Sequence, residues 1–201
     1  MREFWHGGAP GLEVGTILVP GNQVPGYSEI FAETPQEDLK ALGQGWVYVT
    51  TDRGLARDFA AQNGTLFGAG CLYRVQPLEG LVPDPDYAHF PGVSYRVRRA
   101  RVLAIEEQFD GTVSDPAGAA LRYAMWEDGT RMYDDNGIPR PNSTHTELGV
   151  TAEDFLVLGR GASFSAIDEL ARRIVGQRNP GITQARIDVI RARHLDASRS
   201  R

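Results

Sequence analysis

Residues 46–61 read WVYVTTDRGLARDFAA and join a predicted strand directly to a predicted helix. Residues 46–50 are rich in β-branched and aromatic side chains, which favour an extended strand. Thr51 or Asp52 can then cap a helix, because a hydroxyl or carboxylate oxygen accepts hydrogen bonds from the free amides of a first turn. The apolar residues that follow recur at the spacing of one helix face. They are Leu55, Ala56, Phe59 and Ala60.

Short segments of strand type lie on both sides of this unit, and glycine and proline separate them. An apolar segment at 4–6 ends at Gly7-Gly8, and a β-branched segment at 16–19 ends at Pro20-Gly21. Two further strands are predicted at 71–75 and within 97–107. With 23 glycines and 12 prolines, the chain holds more turn residues than a helical bundle tolerates. The sequence therefore predicts an α+β fold whose short strands occupy residues 1–108.

Residues 109–201 follow a different pattern. The signals are weak over 109–150, which predicts an irregular connecting region with a short helix near 117–126. Residues 151–201 predict a helical C-terminal extension, with Ser165 capping the first helix and a second helix over 183–195. The first helix carries an apolar stripe that consists of Ile167, Leu170, Ala171, Ile174 and Val175. We expect this stripe to pack on the N-terminal domain as a cap; the alternative is an extension that binds a partner.

Composition excludes several classes of protein. No apolar run approaches the roughly 18 residues of a membrane span, and residues 1–6 lack the apolar stretch of a signal peptide. The single cysteine, Cys71, excludes an internal disulfide and a cysteine-rich zinc site. Residues 151–201 hold 9 arginines against 6 acids in a chain of net charge −5, which gives a nucleic-acid partner little support. We therefore expect a cytoplasmic protein with no membrane partner and no metal site.

Two segments can form the walls of a ligand site. His6 precedes Gly7 and Gly8 at the end of a strand, so its imidazole can face a cleft while the glycines let a ligand approach the backbone. Tyr48 and Phe59 can form the two sides of a slot in which a flat aromatic ligand stacks. The same residues also suit structural roles, with the histidine packed near the N-terminus and the two aromatic rings in the core.

Charged side chains mark two further segments. Prolines stiffen residues 81–86 and so hold Asp84 and Asp86 with little loss of entropy, although Asp-Pro is also ordinary turn chemistry. On the predicted strand after them, Arg96 and Arg98 share one face. Such a face can contact a phosphate, or it can be the solvated edge of a sheet.

Together and in this order, these segments resemble the rifamycin-inactivating ADP-ribosyltransferases. The resemblance consists of five short signatures within residues 4–108, about half of the chain. They are His6-Gly7-Gly8 with Leu12, Gly15, Ile17 and Pro20-Gly21; Tyr48-Val49-Thr50 before a helix; Asp84-Pro85-Asp86; Phe90-Pro91-Gly92; and Ser94-Tyr95-Arg96. Residues 109–201 have no counterpart in this resemblance.

The resemblance implies a small split β-sandwich of the ADP-ribosyltransferase fold over residues 1–108, with a cleft that binds NAD. It implies transfer of ADP-ribose from NAD to an acceptor, with release of nicotinamide and without a metal. By position the catalytic residues are His6, Tyr48 and Asp84, and the NAD-binding residues are Gly7, Gly8, Thr50 and Phe59. Asp86 faces the same side of an extended segment and is the alternative to Asp84; Glu79 is a more distant one.

Departures from the family pattern leave the acceptor open. Gly8 stands where the family has a hydroxyl residue, the helix after Tyr48 is more charged, and the segment before Ser94 is short. The acceptor can be a small drug, a protein side chain or a nucleic acid, in a resistance enzyme or in a toxin. Two alternatives also stay open: a NAD glycohydrolase, in which water is the acceptor, and a non-enzymatic binding module with a degenerate cleft.

Overall fold

The structure of the chain is a computed structural model that describes residues 2–23, 45–110 and 118–199. The chain divides into two compact units, Met1–Ala117 and Gly118–Arg201. Within the described ranges, no helix combines the length and the apolar character that a membrane span requires.

The N-terminal unit is a mixed α+β structure on an antiparallel sheet of seven strands, whose order is β2-β7-β4-β1-β3-β6-β5. The strands are β1 Phe4–Gly8, β2 Ile17–Leu18, β3 Val47–Thr50, β4 Gly70–Pro77, β5 Val82–Pro83, β6 Ser94–Val97 and β7 Ala100–Phe109. The unit also contains helix α1 (Arg53–Phe67) and short 3₁₀ helices at Gly21–Gln23 and Pro85–Tyr87. The α+β class predicted from the sequence is confirmed.

Apolar side chains alternate along the strands, so one face of this sheet is buried. Val47 and Val49 of β3 join Val75, Val97 and Val102 in a single apolar cluster. These residues come from strands β3, β4, β6 and β7, which are not all neighbours in the sheet. The sheet must therefore curl to bring them together, and the main core of the unit lies inside the curl.

Helix α1 packs on the opposite face of the central strands. Of the two candidate caps, Thr51 and Asp52, it is Asp52 that caps the helix, because its carboxylate accepts hydrogen bonds from the amides of Gly54 at 2.8 Å and Leu55 at 3.2 Å. The small side chains of α1 allow close contact with the sheet. They form a second cluster that consists of Ala56, Ala60, Ala61, Leu72 and Phe109.

The C-terminal unit is helical. Its helices are α2 Ser143–Glu147, α3 Ala152–Phe155, α4 Phe164–Arg178 and α5 Gln184–Arg199, with 3₁₀ helices at Ala120–Tyr123 and Leu156–Leu158. The apolar stripe predicted on α4 is buried. In its cluster it packs with Trp126, Tyr133, Leu148, Val150 and Phe155, which belong to the same unit. Residues of the predicted connecting region thus share a core with the helices.

Two details of these helices differ from the prediction. The predicted cap Ser165 is wrong, because α4 begins at Phe164 and Ser163 Oγ accepts the amide of Ala166 at 3.3 Å. Helix α5 continues to Arg199, past its predicted end at residue 195. Both differences arise at helix ends, where periodicity carries little information.

Candidate functional site

Strands β1 and β3 separate at His6, and this fork is the centre of the candidate site. Strand β1 pairs with β4 from Phe4 to Gly8, whereas its register with β3 is the single pair of Trp5 and Thr50. At His6, the residue after Trp5, a side-chain hydrogen bond replaces the backbone pairing of β1 with β3. His6 Nδ1 lies 2.8 Å from the carbonyl oxygen of Tyr48. His6 therefore bridges the gap where the two strands part.

This hydrogen bond determines which ring nitrogen of His6 carries the proton. A carbonyl oxygen only accepts, so Nδ1 donates, and Nε2 of the neutral ring keeps its lone pair. Burial lowers the pKa of His6 below 6.5, and this effect exceeds the opposite effect of the bond to Tyr48. The ring also stacks beside Tyr73, with centroids 6.5 Å apart. At neutral pH, Nε2 of His6 is therefore an uncharged acceptor.

Gly7 and Gly8 are required by packing around the fork. A Cβ atom at Gly7 would lie 2.5 Å from the backbone nitrogen of Ala60 and would also collide with the backbone oxygen of Ala56. A Cβ atom at Gly8 would lie 2.6 Å from Nε2 of His6. The first glycine thus lets helix α1 approach the sheet, and the second makes room for the histidine ring. The sequence predicts that these glycines make room for a ligand, whereas the atoms nearest to both positions in the structure belong to the protein.

Tyr48 shares one face of the sheet with Arg96, because the two residues lie directly opposite each other on β3 and β6. The Arg96 guanidinium lies near enough to the Tyr48 side chain for its charge to act on the hydroxyl, and Arg96 Nε is buried without a hydrogen-bond partner in the described ranges. Burial and the nearby charge of Asp84 raise the pKa of Tyr48, so its hydroxyl stays protonated.

The guanidinium groups of Arg96 and Arg98 also lie over the ring of Trp46. Their central carbons are 5.1 Å and 3.8 Å from the ring centroid. Arg98 donates a further hydrogen bond to the carbonyl oxygen of Gly45 at 2.6 Å. The face that the sequence predicted for Arg96 and Arg98 is therefore an aromatic and basic surface next to Tyr48.

Asp84 is a buried carboxylate, 4% exposed, directly after β5. Its Oδ2 accepts a hydrogen bond from Ser94 Oγ at 2.7 Å, and its Oδ1 accepts the amide of Asp86 at 3.2 Å. The second bond caps the 3₁₀ helix at Pro85–Tyr87. Asp86 is exposed. The two aspartates that the sequence left as alternatives thus differ in environment, since one is held at two oxygens and the other points into solvent.

A negative field surrounds this carboxylate. Burial raises the pKa of Tyr87 to about 12, and the charges of Asp84, Asp86, Asp58 and Asp52 raise it in the same direction. Asp58 is itself buried on α1. Acidic groups from β5 and from α1 therefore act on the same tyrosine, and a positive charge formed nearby would be stabilised.

The two remaining predicted contacts, Thr50 and Phe59, have opposite environments. Thr50 is buried; its hydroxyl donates to the carbonyl oxygen of Val93 at 2.7 Å and accepts the amide of Asp52 at 3.0 Å. These bonds give Thr50 a structural role at the start of α1. Phe59 is 41% exposed, and its Cβ lies 3.0 Å from where a Gly7 Cβ would be. It therefore offers an aromatic surface beside the fork.

Two residues that support the site were not predicted. Ser94 holds Asp84, and Tyr73 holds the chain after β1 by donating to the carbonyl oxygen of Ala9 at 2.8 Å. Ser94 lies within one of the signatures, so its position was available from the sequence, whereas the bond of Tyr73 depends on strand pairing.

The described residues contain no group of three or more His, Cys, Asp or Glu side chains that could hold a metal ion. The chain matches no known protein-family model. No curated protein is significantly similar to it in sequence.

Proposed function

We propose that this chain is a NAD-dependent mono-ADP-ribosyltransferase, and that its N-terminal unit is a split β-sandwich of the ADP-ribosyltransferase fold that binds NAD at the fork between β1 and β3. The observation that carries the proposal is the neutral ring of His6, bonded to the Tyr48 carbonyl where the strands part. The signatures around His6, Tyr48 and Asp84, in their family order, support it.

The residues at the fork have the chemistry that NAD requires. Nε2 of His6 is an acceptor suited to a ribose hydroxyl, and such a bond orients the sugar without adding charge. Phe59 and Tyr48 supply aromatic surface for the flat nicotinamide ring. Thr50 has no role toward NAD in this proposal, because its hydroxyl is bonded within the protein.

Asp84 supplies the electrostatic part of the mechanism. Departure of nicotinamide from NAD leaves positive charge on the ribose, and a fixed negative charge lowers the free energy of that state. The bonds from Ser94 and from the Asp86 amide hold the Asp84 carboxylate in one orientation. A preorganised charge of this kind acts on the transition state more than on bound NAD.

The experiment that tests the proposal follows the ADP-ribose portion of labelled NAD. The full chain is incubated with that NAD, a cell lysate and rifampicin, and mass spectrometry locates the label. Release of nicotinamide with label on an acceptor supports the transferase. Release of nicotinamide with free ADP-ribose alone supports the glycohydrolase. Absence of both turnover and saturable NAD binding contradicts the proposal and leaves a binding module.

A pair of exposed phenylalanines provides a matched control for the site. Phe59→Ala should weaken NAD binding about tenfold, because stacking on a base-like ring is worth about 1–3 kcal/mol. Phe164→Ala removes a ring that is 57% exposed in the C-terminal unit, and it should leave NAD affinity unchanged. Equal affinities in the two variants would remove Phe59 from the NAD site.

A further inference from the structure

Two adjoining cavities lie in the C-terminal unit, outside the site described above. The larger has a volume of about 550 Å³ and the smaller about 160 Å³. Both are lined by Asn142, Thr144, His145, Asp168 and Arg191, which come from α2, its cap, α4 and α5. Because the two cavities share these residues, we treat them as one candidate site with two lobes. The volume of the larger lobe lies within the range of small-molecule sites.

The larger lobe has an aliphatic wall. Leu148 and Val175 line it from the core of the unit, and Ile182 and Ile187 line it from the segment that leads into α5 and from α5 itself. Helix α5 buries Ile190 but exposes most of its other described side chains, so it covers the core incompletely. This lobe suits an apolar chain rather than a polar polymer.

The shared lining includes donors that bond no other group of the protein in the described ranges. Asn142 uses its side-chain oxygen to accept the amide of His145 at 2.7 Å, which leaves its amide nitrogen as a donor. His145 Nδ1 is buried without a hydrogen-bond partner in the described ranges. Arg191 and the amide nitrogen of Asn142 therefore supply the donors of the shared lining.

Charge points to the same kind of ligand. Asp168 forms an ion pair with Arg172 on the same helix, so those two charges offset each other in the larger lobe. Arg191 has no carboxylate partner among the residues the structure describes, and it lies near His145. The smaller lobe adds Glu127 and Asp128. Asp168 and Asp128 also act on His145, so the charge of Arg191 accommodates a single anionic group and a second one is disfavoured.

We propose that this site binds a small aliphatic monocarboxylate, with its carboxylate at Arg191 and Asn142 and its chain along Leu148, Val175, Ile182 and Ile187. An arginine and an amide donor match the two oxygens of a carboxylate, and the aliphatic wall matches the chain. The site is separate from the proposed NAD site, so either proposal can fail alone.

The test uses the full chain and octanoate as the probe, with binding measured by calorimetry. Octanoate should bind saturably, and the neutral octanamide should bind about tenfold more weakly, since it lacks the charge-assisted hydrogen bonds. In spectra of the indole protons, the signal of Trp126 should move, because this ring lines the smaller lobe and lies 5.3 Å from His145. The signals of Trp5 and Trp46 should stay in place.

Two exposed arginines of α5 give a matched pair of variants. Arg191→Gln should weaken octanoate binding about tenfold, whereas Arg186→Gln, which removes the same charge from the same helix but does not line the site, should not. Equal affinities for octanoate and octanamide, equal effects of the two variants, or no saturable binding of octanoate would each overturn the proposal.

Discussion

Buried polar side chains are concentrated in the N-terminal unit, whereas the C-terminal unit buries an almost entirely apolar core. Of the five buried polar or charged residues in the described ranges, four lie in the N-terminal unit and only Thr144 in the other. The four are Thr50, Asp58, Asp84 and Ser94. Burial of a polar group costs free energy unless it is bonded, and such groups are common at functional sites. The N-terminal unit, where we propose the NAD site, is therefore the richer of the two in buried polar side chains.

The units also differ in the range of the contacts that organise them. His6 bonds the Tyr48 carbonyl across 42 positions of sequence, and strands β3 and β6 pair residues that are farther apart still, such as Val47 and Val97. In the C-terminal unit, by contrast, Asn142 and Ser163 each cap a helix by bonding an amide three residues ahead. The first unit therefore depends on long-range strand pairing. The second combines local caps with longer-range side-chain bonds, such as that of Arg178 to Asp154, and with the apolar cluster that joins its helices.

The largest expected effect is on the stability of the C-terminal core. Phe155 is fully buried there, so Phe155→Ala should lower the free energy of unfolding of this unit by about 3–5 kcal/mol. Leu156→Ala, at the neighbouring residue with 61% exposure, should change it by less than about 0.5 kcal/mol. Hydrogen exchange measured peptide by peptide should show lost protection within residues 118–199. An equal loss in the N-terminal unit would show that the two cores unfold together.

A nearly equal effect is expected on turnover of NAD. Asp84→Asn keeps an oxygen that can cap the 3₁₀ helix but removes the charge, so kcat should fall by about 10²–10³, or about 3–4 kcal/mol. The affinity for NAD and the melting temperature should change little. Asp86→Asn removes an exposed charge and should have a mild effect. The reverse result would assign the electrostatic role to Asp86.

A smaller effect is expected where α1 approaches the fork. Gly7→Ala places a methyl group against the backbone of α1 and should lower the free energy of unfolding of the N-terminal unit by about 1–3 kcal/mol. Gly80→Ala, where nothing lies within 4 Å of the added carbon, should be close to neutral. Urea titrations of both variants measure the difference. A neutral Gly7→Ala would mean that α1 can shift, and that its close approach to Gly7 does not contribute to the stability of the unit.

Local signals in the sequence predicted the helices and strands but not the residues that pack against them. The cap at Asp52 and the apolar stripe of α4 were predictable, because both depend on residues within a few positions of one another. The partners of that stripe, such as Trp126 and Tyr133, lie in a segment without periodicity, so only packing reveals them. Helical spacing left open whether Phe59 lines a slot or packs in the core; in the structure Phe59 is exposed beside Gly7.

The candidate site was predictable to a similar extent. Motif order singled out His6, Tyr48 and Asp84, and the structure brings His6 to the backbone of Tyr48 rather than to its side chain. Side-chain hydrogen bonds depend on strand register, which a single sequence does not fix. For that reason the sequence missed that Ser94 holds Asp84 and that Thr50 is used within the protein.

The smallest effect concerns acid, to which both units should respond through one histidine each. Burial lowers the pKa of His6 below its ordinary value of 6.5, and it lowers the pKa of His145 likewise, despite the opposing charges of Asp168 and Asp128. The unfolded chain therefore binds these protons first as the pH falls. Stability should be complete above pH 6.5 and should decrease below it, by at most about 1.4 kcal/mol per pH unit for each histidine.

Exchange protection measured between about pH 7.5 and pH 5.5 can separate the two contributions. His6→Gln should flatten the pH dependence of the N-terminal unit alone, and His145→Gln that of the C-terminal unit alone, so each variant is the control for the other. The comparison uses slopes rather than absolute stabilities, because each substitution also changes packing. If His6→Gln flattened both slopes, the acid response would belong to the whole chain rather than to one unit.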